Sequence, residues 1–483
     1  MSVFSQRVSS HGVVMLSVLA LSASSISAQV SESYLGLYLG GNKIGYSSYA
    51  SRPEKLAGKA TTRTDSRTLM STGLLGTAMT LQMDSVTWTD AAGKPVKMTT
   101  LMKSGGRAQT FEAIFGATSI NITLDNAGQR TTRKLALPTD GPVVDDPLAG
   151  MVVSKTKTGT TRSFYVLDPT TVSLVKNEAR FKGPTTTTVR GKKVQANLVE
   201  VIDPRAPTRV FLAASGAMIK VEGPMGIEMF PETKKVALAG MNTYNPGMDL
   251  ALLTSIKLKE PITNPETISK LTLKVVGRDL STAPSDAFQT LKGSGMEWTI
   301  QVHPPVASED PAKTITEAGE GQPEWLKAGL HIPATSPAMV RLAKEQVGDA
   351  EDVRVAADRI RKHVNGLMTP NAGIGVLRDA TEVLKTKEGV CRDYAILTTT
   401  LLRAGGIPAR LVAGLVNQDG AFYYHAWAEY WNGTNWIGCD STQPWDQITA
   451  AHVKLSEGTV EKAFTFLFLD KVKVEVVSIE RKP

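Results

Sequence analysis

The chain has 483 residues, enough for two to four domains at roughly 100–200 residues each. With 42% hydrophobic and 21% charged residues it can bury several cores, which excludes a disordered chain. Its two cysteines exclude a disulfide-rich scaffold and any four-cysteine metal site, and no apolar run reaches the ~18–20 residues that span a bilayer. The net charge of +8 is scattered as single residues rather than gathered in a basic stripe, which argues against a nucleic-acid binder. A solvated basic surface or a weak attraction to an acidic envelope polymer remains.

In chain order, Arg7 is the only formally charged residue before Glu32, the run Val13–Leu21 is apolar, and Ser22–Ala28 are mostly small. That succession describes a secretory signal peptide over residues 1–28, cleaved after Ser27 or Ala28. No cysteine follows the run, so a lipoprotein anchor is not expected. Export places Cys391 and Cys439 in an oxidising compartment, secreted or periplasmic.

Residues 29–240 read as a mainly antiparallel β region. Tyr34–Leu39 leads through a Gly40-Gly-Asn-Lys43 turn into Ile44–Tyr46, a hairpin pattern. Further strands are expected at Thr80–Trp88, Arg107–Phe115, Ser119–Leu124, Thr161–Leu167, Lys193–Ile202, Arg209–Ala213, Met218–Glu222 and Gly226–Phe230. Asp140, Asp145 and Asp146 share a loop, but their spacing matches no calcium-loop pattern and favours a plain turn. Residues 241–325 form a smaller strand-containing region, with strands expected at Ser255–Lys259, Leu271–Val276 and Trp298–His303. It closes with a linker rich in Pro, Glu and Gly over Pro304–Pro323.

From 326 to 483 the pattern becomes α+β. Helical spacing marks Met339–Val347, Val353–Met368 and a stretch starting at Ala380–Leu384. Gly389-Val-Cys391-Arg-Asp-Tyr-Ala395 opens another helix, which Gly405-Gly406 and Pro408 end. Cys391 therefore falls in a first turn, where free N–H groups and the helix dipole favour a thiolate, the form that acts as a nucleophile. Thr398-Thr-Thr400 are poor helix formers, so tertiary packing must hold this helix.

Tyr423–Trp431 alternates, with His425, Trp427, Glu429 and Trp431 on one side, and Asn432-Gly433 follows as a hairpin signal. If those two residues are the loop, His425 lies directly opposite Asp440. A four-residue loop instead sets Thr442 opposite His425, with Asp440 diagonal and still near. Cys439 projects to the other face in either case, so a Cys391–Cys439 disulfide is not expected. A nucleophilic thiol, a histidine base and an orienting carboxylate form the minimal constellation of thiol catalysis. Spacing alone does not bring Cys391 to His425, and a lone cysteine or strand histidine is more often structural.

Four blocks carry a resemblance: Gly389-Val-Cys391-Arg-Asp-Tyr-Ala, Ala404-Gly-Gly-Ile-Pro-Ala-Arg410, His425-Ala-Trp-Ala-Glu429, and Trp436 with Asp440-Ser-Thr442. In type and order they resemble the transglutaminase-like superfamily over residues 335–455. The resemblance implies a papain-like fold, a cysteine-bearing helix packed on an antiparallel sheet. It also implies Cys391 as nucleophile, His425 as general base and acid, and Asp440 as the residue that orients it. One departure is Ser441, where the family more often has proline. A second oxyanion donor is not marked; Asn365, Asn371 and Tyr394 are candidates. The implied activity is an attack on amide bonds through a thioester acyl-enzyme. It ends in hydrolysis or in protein cross-linking, on a protein or peptide amide substrate in the envelope or outside the cell. No cofactor and no metal are implied, and oligomeric state is not readable. The alternative is an inactive domain of this kind serving as a binding or scaffold protein of the cell envelope.

Overall fold

The computed structural model describes residues 32–482, apart from 75–76, 127, 149–150, 152, 205–206, 241–248, 375–376, 419, 445–447 and 464–471. The expected export signal over 1–28 lies outside the described residues. The chain divides into two compact units, with the boundary between Asp249 and Leu250.

Among the described residues the first unit is built on an antiparallel sheet of fourteen strands. Eight of them, Glu32–Leu39, Asn42–Leu56, Lys59–Leu74, Thr77–Thr89, Pro95–Ser104, Arg107–Phe115, Ser119–Asn126 and Gln129–Ala136, each pair with the next. The first strand pairs on its other side with Ile227–Glu232. From there the order runs back through Met218–Glu222, Pro207–Leu212, Lys192–Ile202 and Ser173–Val189 to Thr161–Asp168. The first hairpin turns on two residues rather than four: Gly40 and Gly41 have φ of 57° and 81°, and Leu39 pairs with Asn42. Positive φ at both centres is what such a tight turn demands and what glycine supplies. In Arg107–Phe115, Gln109, Phe111 and Ala113 are buried while Thr110 and Ile114 face outward, the period-two pattern of a half-buried strand.

Four strands lie outside the sequence expectation: Lys59–Leu74, Pro95–Ser104, Gln129–Ala136 and Ser173–Val189. All are rich in Thr, Lys, Arg or Ser. In the last, Gly183-Pro184 makes a bulge, with a register shift between Phe181 and Gly183 and a Gly183 φ of 84°. The three loop carboxylates are spent separately. Asp140 accepts from Tyr165 and pairs with Lys176, Asp145 accepts from Thr87 Oγ1, and Asp146 accepts from the Leu148 amide.

The second unit holds the cysteines. Its main antiparallel sheet runs Ile256–Lys257, Ala421–Trp431, Ala409–Gln418, His452–Gly458, with Trp436–Cys439 also on Ala421–Trp431. A four-stranded sheet joins Gln289–Ser294, Glu297–Val302 and Ile268–Val276 to the chain's last strand, Lys473–Arg481. The stretch 241–325, read above as a region of its own, thus supplies strands to both of these sheets. The Pro/Glu/Gly-rich linker also contains structure, the helix Ile315–Gly321. It starts on a capping box in which Glu317 N donates to Thr314 Oγ1 (3.2 Å) and Thr314 N to Glu317 Oε2 (2.8 Å).

Helix Cys391–Ala404 packs on the two central strands and is flanked by Pro337–Val347, Val353–Leu367 and Ala380–Thr386. The core between helix and sheet includes Ala356, Ile360, Val364, Leu397, Leu401, Ala426 and Ala428. Thr398, Thr399 and Thr400 are fully buried, so packing does hold the threonine-rich turn. No helix among the described residues is long and apolar enough to cross a membrane.

Candidate active site

The cysteine helix begins at Cys391, and what fixes its start is buried charge. Asp393 reaches back to accept a hydrogen bond from Val390 N (2.9 Å) and pairs with Arg378. Arg378 also donates to Glu388 O (2.6 Å) and Thr386 Oγ1 (3.0 Å). A Cβ on Gly389 would stand 2.6 Å from Asp393 Cβ and 2.7 Å from an Arg378 guanidinium nitrogen, so the Arg–Asp pair requires glycine there. Arg392 is buried beside the thiol, its guanidinium donating to Ile374 O, and burial lowers its affinity for a proton.

His425 comes from strand Ala421–Trp431 and Asp440 from the residue after Trp436–Cys439. The hairpin between them is the four-residue form. Trp431 pairs with Trp436 and Ala428 with Cys439, which sets Thr442 rather than Asp440 in line with His425. Of the two registers that the sequence allows, the four-residue one forms, and the direct His425–Asp440 pairing of a two-residue Asn-Gly loop does not. The reason is Asn432, whose side chain is buried: its Oδ1 accepts from Thr434 N (2.9 Å) and Asn435 N (2.7 Å), while its Nδ2 donates to Asp310 Oδ2 (2.7 Å). This turn within the loop competes with the tight one. The consequence survives, because Asp440 reaches His425 diagonally.

His425 Nε2 donates to Asp440 Oδ2 at 2.8 Å. Asp440 Oδ1 accepts from Thr442 N (2.9 Å) and Thr442 Oγ1 (2.7 Å). His425 Nδ1 is buried and completes no hydrogen bond of ordinary geometry, yet the Cys391 thiol lies near enough to add to the ring's proton affinity. The three side chains are thus brought together with the histidine in the middle. Cys391 and His425 are fully or almost fully buried and Asp440 nearly so. Trp427 stacks beside the imidazole, its ring centroid 6.1 Å away at 25°. Gly414 stands opposite His425, and a Cβ there would lie 2.0 Å from Val453 O and 3.0 Å from Trp427 Cη2.

Burial alone would lower the basicity of His425, but the adjacent Asp440 carboxylate, and then Cys391, raise its pKa to about 10. Burial likewise works against ionised Asp440, and the His425 imidazolium overrides it, holding the carboxyl well below the usual range. Cys439 and Cys391 are both free thiols, and burial pushes Cys439 up to about 12. Cys439 belongs to the helix-side core.

The three candidates for a second oxyanion donor are otherwise engaged. Asn365 Nδ2 donates to Ser441 O (2.8 Å), Asn371 Nδ2 to Glu388 Oε2 (2.9 Å), and Tyr394 OH to Met368 O (3.0 Å). Ser441, where the family more often has proline, contacts Thr398 Oγ1 on the cysteine helix at 2.6 Å. Sequence reasoning missed His452, whose Nε2 lies 3.4 Å from Asp440 Oδ2. Ligand atoms of His425, Asp440 and His452 lie within 4.8 Å of one another. A cation there would have to displace the proton that His425 retains and to compete with the hydrogen bonds already on the carboxylate, so the donor set fits a metal poorly.

A thiol at a helix start, an imidazole on the facing antiparallel sheet and a carboxylate behind it define the class of thiol-nucleophile folds. Within that class, residues 340–441 match the family model described as Transglutaminase-like superfamily, and this part of the chain is a transglutaminase-like domain. An uncharacterized protein of Mycobacterium tuberculosis is 37% identical over 81 residues, which cover 14% of this chain and 25% of that protein. A protein-glutamine gamma-glutamyltransferase of Pseudomonas aeruginosa is 41% identical over 71 residues, covering 12% of this chain and 10% of that protein. The chain thus spans a quarter or less of the length of these two relatives. Among solved structures, a proposed cysteine protease from Cytophaga hutchinsonii shares 16% identity at a TM-score of 0.31, over 45% of this chain and 85% of that one. A β-barrel-like protein from Brucella abortus shares 14% identity at a TM-score of 0.31, over 43% of this chain and 96% of that one.

Proposed function

We propose that the chain is an exported cysteine enzyme that acts on amide bonds through a thioester. The observation that carries this is the divided use of His425: Nε2 is committed to Asp440 at 2.8 Å, and Nδ1 is left for Cys391. In this reading the Cys391 proton already rests on His425, and Sγ bonds to the substrate carbonyl carbon. His425 returns the proton to the leaving amine as the C–N bond breaks, and a thioester remains. Water, deprotonated by His425, then releases a carboxylic acid, or a second amine releases a new amide. Asp440 holds the ring and stabilises the imidazolium. The name of the Pseudomonas relative fits the amine route; the shared stretch is a small part of either protein, so hydrolysis stands beside it. Export rests on the charge, apolar run and small residues of positions 7–28.

Cys391 is fully buried, so a substrate reaches it only after the surrounding residues move. That burial favours the second reading, a domain that keeps the constellation but binds rather than turns over. Acid-quenched mass spectrometry on the full chain with a glutamine-containing peptide, with and without a primary amine, separates the two. The enzyme reading expects an acyl adduct on Cys391 that decays to acid or amide. A chain that shows neither adduct nor product while binding the peptide supports the scaffold.

A further inference from the structure

His452 meets the same oxygen of the candidate carboxylate as His425. It begins strand His452–Gly458, pairs with Val416, and is 2% exposed. Its ring meets Trp427 edge-on, centroids 5.3 Å apart at 77°, and its centroid is 5.8 Å from that of His425. Its two nitrogens face two acceptors, Nδ1 the Thr449 carbonyl at 3.3 Å and Nε2 the Asp440 Oδ2 at 3.4 Å. A neutral imidazole has one N–H, and hydrogen bonds to an ionised acceptor are roughly twice as strong as neutral ones. The carboxylate therefore takes the proton-bearing nitrogen.

The set of donors on Asp440 is then complete. A carboxylate offers about four lone-pair sites. Thr442 fills Oδ1 twice, while Oδ2 is shared between His425 at 2.8 Å and His452 at 3.4 Å. We propose that His452 is a positioning residue that holds Asp440 in the orientation in which Oδ2 meets His425 Nε2, leaving Nδ1 turned to Cys391. The inference rests on the cysteine-enzyme reading for its catalytic consequence, and on geometry alone for the pairing. Its contact is longer than that of His425, so its loss costs less than loss of the carboxylate itself.

The test uses the full chain with His452→Phe, which fills the ring's space without a donor, and His452→Gln, which restores a donor. Each is made in the parent and in an Asp440→Asn background. Phe is expected to lower kcat about 10–100-fold, against roughly two to four orders of magnitude for Asp440→Asn, with KM within about threefold. Gln recovers most of the loss, and Phe adds little once Asp440 is Asn, because the two act as one unit. Equal losses for Phe and Gln, or an undiminished Phe effect in the Asp440→Asn background, would overturn the proposal. A second readout does not depend on turnover: ¹⁵N-histidine NMR of the hydrogen-bonded His425 Nε2–H. It shifts in His452→Phe and stays near its parental position in His452→Gln; a resonance indifferent to both contradicts the role. A protein whose NMR responds as expected but whose Cys391→Ala variant turns over normally would leave the pairing standing and remove the cysteine-enzyme reading.

Discussion

On one face of strand Ala421–Trp431, Ala426, Ala428 and Tyr430 pack against the cysteine helix and its neighbours; on the other, His425, Trp427 and Glu429 meet buried charge. Both faces are sealed from water by different means. The helix face is filled by small and aliphatic side chains whose contributions are individually modest and roughly proportional to area. The polar face is a network. Lys454 Nζ lies 2.5 Å from Asp286, 2.9 Å from Glu457 and 3.1 Å from Glu429, while Arg410 pairs with Glu429 at 2.8 Å and Glu457 at 2.7 Å. Beside it sit Trp427 and Phe288, their ring centroids 6.2 Å apart. Such a network holds when every member is satisfied and fails when one is removed, because the partner's charge stays buried. The sheet thus offers a cushioned side to a helix and a rigid, charged side to a histidine.

The largest expected effect lies at the carboxylate behind His425. Asp440→Asn keeps the fold, since asparagine can still hold the ring, but it cannot stabilise the imidazolium. Turnover is expected to fall by roughly two to four orders of magnitude. An unchanged kcat would remove Asp440 from the site.

Next comes the polar face itself. Lys454→Met leaves Glu429, which is wholly buried, with less compensation, and is expected to cost about 3–5 kcal/mol in urea unfolding. A loss below about 1 kcal/mol would mean that water reaches the cluster and that the faces do not differ as argued.

The apolar face predicts a smaller, graded loss. Cys439→Ser puts a hydroxyl into the helix-side core and is expected to cost on the order of 1–3 kcal/mol while the folded protein keeps its activity. Loss of activity without loss of stability would tie Cys439 to the chemistry.

The pH dependence of stability tests the His425–Asp440 pair itself. The folded pKa of His425, about 10, is above its ordinary 6.5, so the His425–Asp440 pair contributes fully below about pH 6.5. That contribution is lost as pH rises toward 10. Asp440 is shifted down, so at the acid end its contribution is present above the ordinary carboxylate range and lost as pH falls through its depressed value. The urea midpoint should drop more between pH 6 and pH 10 in the parent than in His425→Gln. Equal drops would show that the pair does not retain its proton.

Much of this site is legible from residue types at short range. Gly389 before Cys391, and the glycines and Pro408 after the helix, mark its ends because backbone conformation is local. The alternation through His425, Trp427 and Glu429 is legible for the same reason. The hairpin register was only half legible: Asn432-Gly433 signals a tight turn, but the side chain of Asn432 is drawn to Asp310, 122 positions away. Arg410 and Glu429 both stand in the recognisable blocks and pair with each other, yet neither residue names its partner in sequence. His452 was illegible because a histidine in a strand carries no signal until the fold brings it to a carboxylate. In the fourteen-stranded sheet, strands with clear apolar alternation were readable, whereas the threonine- and lysine-rich ones were not, since their neighbours rather than their composition stabilise them.

The most direct measurement is peptide-resolved mass spectrometry of the native chain during brief exposure to a small neutral thiol electrophile, compared with His425→Ala. The account predicts modification at Cys391 before Cys439, with the Cys391 rate falling at least about 100-fold when the imidazole is removed. Modification of Cys391 at the same rate in both proteins, or of Cys439 first, would contradict the claim that Cys391, His425 and Asp440 act together.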